Sequence, residues 1–220
     1  MKYELLSNNR VFLFGEIASE PKFSHESFGE AFYEIDLKVK RLSEQFDTIP
    51  ITISDKLLTK EMQVGTKLAI KGQFRSYNKV EDEKSKLMLT VFVREIIEYN
   101  ETMNPNIIEI SGFVCKEPTY RTTPFKREIC DVLIAVNRAY NKSDYLPCIA
   151  WGRNARYVKN LEIGKKVNLV GRIQSREYQK KTETGEILTK TAYEVSINKI
   201  SDEEIYDELD DKVEVWWIKW

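Results

Sequence analysis

Apolar and polar residues alternate over short runs along most of this chain, and the runs recur in the same order twice. Strict alternation puts every second side chain on one face, the pattern of a half-buried strand. It predicts strands at about 10–18, 31–41 and 47–53 in the first half, and at about 107–115, 128–138 and 145–151 in the second. The period then changes. "SDKLLTKEM" opens on a Ser suited to cap a helix, and "RNARYVKNL" takes the same place in the second half, so a short helix is predicted in each. The turns "VGTK" and "IGKK" lead into a fourth strand. The polar loops "NKVEDEKSK" and "KKTETGEIL" lead into a fifth, ending near Ile97 and Ile200.

The two halves align at an offset of 97 residues: Gly15 falls on Gly112, Glu20-Pro21 on Glu117-Pro118, Phe23 on Tyr120, Arg41 on Arg138 and Pro50 on Pro147. A two-residue insertion moves the offset to 99, which puts Gly65 on Gly164 and Gly72 on Gly171. Punctuation and alternation match together, so each half is one structural unit. Five strands with a helix between the third and fourth is the order of an OB-fold, a small Greek-key barrel. The expected fold is all-β: two tandem five-stranded OB-fold barrels, each with a short helix between strands 3 and 4. Residues 1–100 are the first barrel, 101–106 a connector, 107–200 the second barrel and 201–220 an acidic, Trp-rich tail.

A chain of 220 residues with 42% apolar content has enough material for two small cores. It contains no uninterrupted apolar run of about 18 residues, so no membrane span is expected. The opening "MKYELLSNNR" lacks the apolar core and small-residue site of a secretion signal, and the expected location is cytoplasmic. Cys115, Cys130 and Cys148 lie in strand-like apolar runs without a CxxC pair, and read as reduced core residues.

Net charge is only −1, yet its distribution is uneven. Residues 105–200 carry 17 Lys/Arg against 10 Asp/Glu, whereas the last twenty residues carry 2 against 8. A basic second half beside an acidic tail suggests a polyanion partner.

The second half also carries exposed-face chemistry. Beyond Gly171, Ile173 should point into the barrel, while Gln174, Arg176 and Tyr178 point out together. Tyr145, Pro147, Ile149 and Trp151 share one side of the third strand, and Tyr140 sits just past the second. Tyr140, Tyr145, Trp151 and Tyr178 are therefore candidate stacking rings for unpaired bases, worth about 1–3 kcal/mol per base. Arg138, Lys142, Arg153, Arg156, Arg172 and Arg176 lie close by in sequence as candidate phosphate contacts. In the first half Ser43, Thr48, Ser54 and Lys79 stand at the ring positions. Arg75, Tyr77 and Lys79 still alternate outward, so its binding face is expected to be degenerate and secondary.

Catalysis is not expected. His25 is the only histidine and is expected in a polar loop, "KFSHESFG", which removes His-based triads and multi-His metal sites. No GxG or GxxxxGK[ST] loop is present. No cofactor and no metal are implied. An OB-fold scaffold for a replication complex, a single-stranded RNA binder and a nuclease built on this fold stay open as alternatives.

The second half resembles the bacterial single-stranded DNA-binding proteins, in "ISGFVCKEPTYRTTP" and in "VLIAVNRAYNKSDYLPCIAWGRNARYVKNLEIGKKVNLVGRIQSREY". "IGKK" stands where that family usually has "KKG". The resemblance implies an OB-fold without catalysis, a role in DNA replication, recombination or repair, and base stacking at Tyr140, Tyr145, Trp151 and Tyr178. It also implies assembly into units of four OB domains, which a chain holding two would reach as a homodimer. The tail begins like the family's acidic tail, which recruits replication and repair enzymes. It departs in ending "VEVWWIKW", so Trp216, Trp217 and Trp220 are candidate partner-binding residues, with docking on the chain's own surface as the alternative.

Overall fold

The structure is a computed structural model that describes residues 8–203, except 42, 82–83, 99–103, 182–184 and 186. The first half contains β1 (Asn9–Ile17), β2 (Lys22–Ser27), β3 (Glu30–Lys40), β4 (Phe46–Ser54), β5 (Lys67–Glu81) and β6 (Lys84–Ile97). The second contains β7 (Asn106–Val114), β8 (Thr119–Thr122), β9 (Glu128–Arg138), β10 (Lys142–Trp151), α1 (Arg153–Val158), β11 (Lys166–Lys181) and β12 (Ile187–Ser201). A 3-10 turn, Ala139–Asn141, joins β9 to β10.

Each half closes into a barrel. The strand order is β1-β3-β4-β6-β5 and back to β1, and β7-β9-β10-β12-β11 and back to β7. The pairs β4–β6 and β10–β12 are parallel, the rest antiparallel. This is the OB order, and the all-β tandem fold is as the sequence predicts. Alternation explains it: in β7, Ile108, Ile110 and Val114 are buried, while Glu109, Ser111 and Phe113 are not.

Three details differ from the sequence reading. Each half has a sixth short strand, β2 or β8, paired with the strand that follows. These strands bury little of themselves, so they show no alternation to read. His25 consequently lies in a strand rather than a loop, its ring 5.0 Å from that of Phe32 and nearly parallel to it. The helix is present only in the second half, where Ala155 and Val158 lock α1 onto the core. In the first half "SDKLLTKEM" makes isolated turns instead. The N–H groups of Leu57 and Leu58 both reach the Ser54 carbonyl, and the next bond starts afresh from Thr59. One turn fixes several dihedrals for few bonds, and Leu57 and Leu58 are only partly buried where Ala155 and Val158 are fully so, so the helix does not propagate.

The barrels are joined edge to edge. β1 pairs antiparallel with β7, Val11 lying opposite Ile108. At the 97-residue offset these are equivalent positions, so a pseudo-twofold axis runs between them. The chain is an internal dimer built on a self-complementary contact. Asn9 and Asn106, again equivalent, repeat one device. The Asn9 amide donates to the Phe74 carbonyl at 2.7 Å and accepts from the Phe74 N–H at 3.0 Å. Asn106 does the same with Ile173, at 2.7 and 2.9 Å.

Candidate nucleic-acid interface

The outer face of the second barrel is set by register. Ile149 pairs with Ser196, which pairs with Arg172. Side chains two, four or six residues along share that face, so it holds Tyr145 and Trp151 on β10 and Gln174, Arg176 and Tyr178 on β11. The opposite set (Leu146, Cys148, Ala150 and Ile173) fills the core. Tyr145 is 47% exposed, Trp151 40% and Tyr178 39%. Their hydrophobic rings remain in water on a face whose alternate positions are fully buried. Tyr145 and Trp151, six residues apart on one strand, are separated by roughly 20 Å.

Tyr140 is placed elsewhere. It projects from the 3-10 turn, 79% exposed with φ of 62°, into a cleft between the halves that Arg138 and Lys142 also line. The structure therefore puts three of the four rings on one face, and the fourth at the tip beside it.

The cations divide as well. Arg176 stands on the ring face, its Nε 3.6 Å from Glu194. Arg153 and Arg156 lie on α1, just past the Trp151 end of β10, both exposed, with Arg156 3.4 Å from Glu128. Arg172 is half-buried and spans the two halves. It donates to Gln174 at 2.8 Å and lies 3.2 Å from Asp47 of the first barrel. Burial lowers its pKa, and nearby Arg41 adds to that against the opposing pull of Asp47. Arg138 lies 3.3 Å from the buried carboxylate of Asp144.

In the first half, Arg75 donates to Gln73 at 2.8 Å and lies 4.1 Å from the Phe92 ring centroid. Burial, with repulsion from Arg138 and Arg94, lowers its pKa to about 10. The Tyr77 hydroxyl donates to Glu34 at 3.1 Å, and Lys79 is exposed on the same strand. Ser54, at the Trp151 position, donates to Glu30. Trp216, Trp217 and Trp220 lie outside the described residues.

Sequence reasoning missed Asp47 and Asp144, which fall on each other at the 97-residue offset, both fully buried. A charged pair at equivalent positions inside apolar runs was the available signal. It also missed Phe92, whose ring centroid lies 4.1 Å from the Arg75 guanidinium and 4.8 Å from that of Arg94. No alternation marks Phe92, because its strand is apolar on both faces there. The three thiols are held above their ordinary pKa by burial, which suits packing rather than reactivity. Among the described residues no helix is long and apolar enough to cross a membrane.

The sequence profile of the single-strand binding protein family matches residues 105–202. The chain is 33% identical over 81 residues to single-stranded DNA-binding protein 1 of Staphylococcus aureus, covering 34% of this chain and 48% of that one. It is 29% identical over 92 residues to the single-stranded DNA-binding protein of Clostridium tetani, covering 39% and 63%. The chain thus spans about half the length of the former. Its fold matches the crystal structure of the wild-type single-stranded DNA binding protein from Thermus aquaticus with a TM-score of 0.65, over 90% of this chain and 94% of that one, at 17% identity. In sequence over residues 105–202, and in fold over nearly the whole chain, this protein resembles the bacterial single-stranded DNA-binding proteins.

Proposed function

We propose that this chain binds single-stranded DNA without catalysis and largely without regard to sequence, through the outer face of its second barrel. The observation that carries this reading is the set of Tyr145, Trp151 and Tyr178 on one face of β10 and β11, each left about two-fifths exposed or more. Every base offers a π face, so such rings hold unpaired bases of any identity, while Arg176, Arg153 and Arg156 meet phosphates. Duplex DNA is rejected because paired bases hide their faces. Arg172 and Arg138 act one step back, since both are engaged with buried carboxylates.

The proposal extends to a cytoplasmic protein of replication, recombination or repair. It would assemble as a homodimer presenting four OB domains, with the tail at Trp216, Trp217 and Trp220 offered to protein partners. The similarity to single-stranded DNA-binding proteins in sequence and fold supports these points.

The test is a fluorescence titration of a chain with Trp216, Trp217 and Trp220 changed to Phe, which leaves Trp151 as its only tryptophan. Single-stranded oligo-dT should quench Trp151 and duplex should not, and RNA of equal length in the same titration tests the RNA alternative. Affinity should fall with salt at a log–log slope of about −0.7 per phosphate neutralised. Equal quenching by duplex, or none by oligo-dT, overturns the reading.

A further inference from the structure

The cleft between the halves has one wall from each. Phe28, Arg75 and Arg94 stand on the first-half side; Arg138, Tyr140 and Lys142 stand on the second.

Its two rings are held in unusual places. Phe28 sits in the turn between β2 and β3 with φ of 52° and is wholly exposed. Gly29 follows at φ of 74°, so both central residues of this turn are left-handed, where Asn or Gly is ordinary. A bulky side chain held there is strained. Left in water, the Phe28 ring recovers none of that strain by burial. Tyr140, on the opposite wall, combines the same left-handed backbone with 79% exposure.

The charge in the cleft is unbalanced. Asp144 is the one carboxylate among the described lining residues. One of its oxygens accepts from the Ser76 N–H and Arg138, and the other has no hydrogen-bond partner. Against it stand Arg75, Arg94, Arg138 and Lys142. The pseudo-symmetric place is different. There Asp47 takes two bonds from Arg41 and one from Arg172. Asn198 replaces Arg94, and Gln45 replaces Lys142. The two extra cations have been placed at one of two equivalent positions only.

We propose that this cleft is a second single-strand subsite, in which a phosphate meets Arg94 and Lys142 while a base lies against Phe28 or Tyr140. The proposal rests on the reading that the second barrel binds single strands. Tyr145 lies three register pairs from the tip that carries Tyr140. A strand leaving the ring face at that end therefore enters the cleft. It next meets Arg75 and Arg94 on the first-half wall. The first half thus binds through Phe28 and Arg94, residues unrelated to the positions of Ser43, Thr48 and Ser54.

The test compares oligo-dT of about 8 and about 30 nucleotides, lengths chosen because one OB domain covers roughly 4–16. In the full chain, Phe28→Ala with Arg94→Gln should weaken the long oligomer at least fivefold, make its salt slope shallower by about 0.7, and leave the short one unchanged. Phe28→Asn, which suits the left-handed turn, should raise Tm and still weaken the long oligomer. Long-oligomer affinity within twofold of the unsubstituted chain in both variants, with the short oligomer bound normally, overturns the subsite alone. A short oligomer that the unsubstituted chain does not bind overturns the second-barrel reading, and the subsite with it.

Discussion

The Asp47 carboxylate, in the first barrel, accepts the backbone N–H of Ser175, in the second, at 2.7 Å. The pseudo-twofold repeats the contact: Asp144 accepts from Ser76 at 2.8 Å. The return bonds are equivalent too, from the Thr48 N–H to the Ser175 hydroxyl at 3.2 Å and from the Tyr145 N–H to that of Ser76 at 2.7 Å. These crossed hydrogen bonds reinforce the β1–β7 seam and hold Tyr145 in place from behind.

The two aspartates should not be equally important. Asp47 balances Arg41 and Arg172, so Asp47→Asn leaves two half-buried guanidiniums without a counter-charge. Breaking such a pair costs about 3 kcal/mol, which lowers Tm by roughly 6–12 °C in a chain of this size. Asp144→Asn keeps an acceptor for the Ser76 N–H, removes a carboxylate with one unpaired oxygen, and takes from Arg138 and Arg75 a counter-charge whose attraction is already outweighed by the burial of Asp144. Its Tm should change far less. Thermal melts of both variants decide this, and equal losses refute the asymmetry.

The same contrast has a pH signature. Burial raises the pKa of Asp144 above its ordinary value, against the pull of Ser76, Arg138 and Arg75. A raised carboxyl pKa means the folded state disfavours the charged form. The resulting penalty is present in full above the folded pKa and relieved as pH falls toward the unfolded value of about 3.9. Any stability advantage of Asp144→Asn at neutral pH should therefore shrink on acidification. An advantage that grows as pH falls contradicts the sign.

Trp151→Ala with Tyr178→Ala removes two exposed rings from the face on which the proposed function depends. At about 1–3 kcal/mol per base stacked, oligo-dT affinity should fall at least tenfold. Both residues are surface-exposed, so circular dichroism and Tm should stay near those of the parent. Unchanged affinity in the folded double variant refutes their assignment.

Gly171 sits at the β-bulge where β11 enters its long hairpin with β12. A Cβ there would lie 2.4 Å from the Ser196 carbonyl oxygen, so the strands have to part. Gly171→Ala should cost about 2 kcal/mol, or roughly 4–8 °C in Tm. Ser196 lies in the register row of the ring face, so oligo-dT affinity should fall too. A variant with parental Tm shows that the backbone yields more easily than the contact suggests.

The 97-residue repeat, the alternation within each strand and the Gly72–Gly171 match were enough to read a tandem barrel, because burial on one side of a strand writes itself into every second residue. Tyr145, Trp151 and Tyr178 were legible for the same reason: a ring on the outward parity breaks the polar rhythm of that face. Parity does not say which neighbour a side chain meets. Arg138 and Arg172 looked as available as Arg176 until the fold brought Asp144 and Asp47 against them. Tyr140, counted with the other rings by nearness in sequence, was turned into the cleft by a left-handed backbone that no periodicity records.

What the sequence by itself determined is the barrel, its duplication and the identity of the exposed rings, since all three follow from periods that local burial imposes on the chain. The tertiary structure alone decided which cations are tied to buried carboxylates, where the two barrels meet, and that Phe28 faces Tyr140 across a cleft. Arg172 reaches Asp47 across 125 positions of sequence, and Arg41 reaches the Ser175 carbonyl across 134. These relationships depend on the seam between two closed barrels, a contact between surfaces that leaves no period in either half.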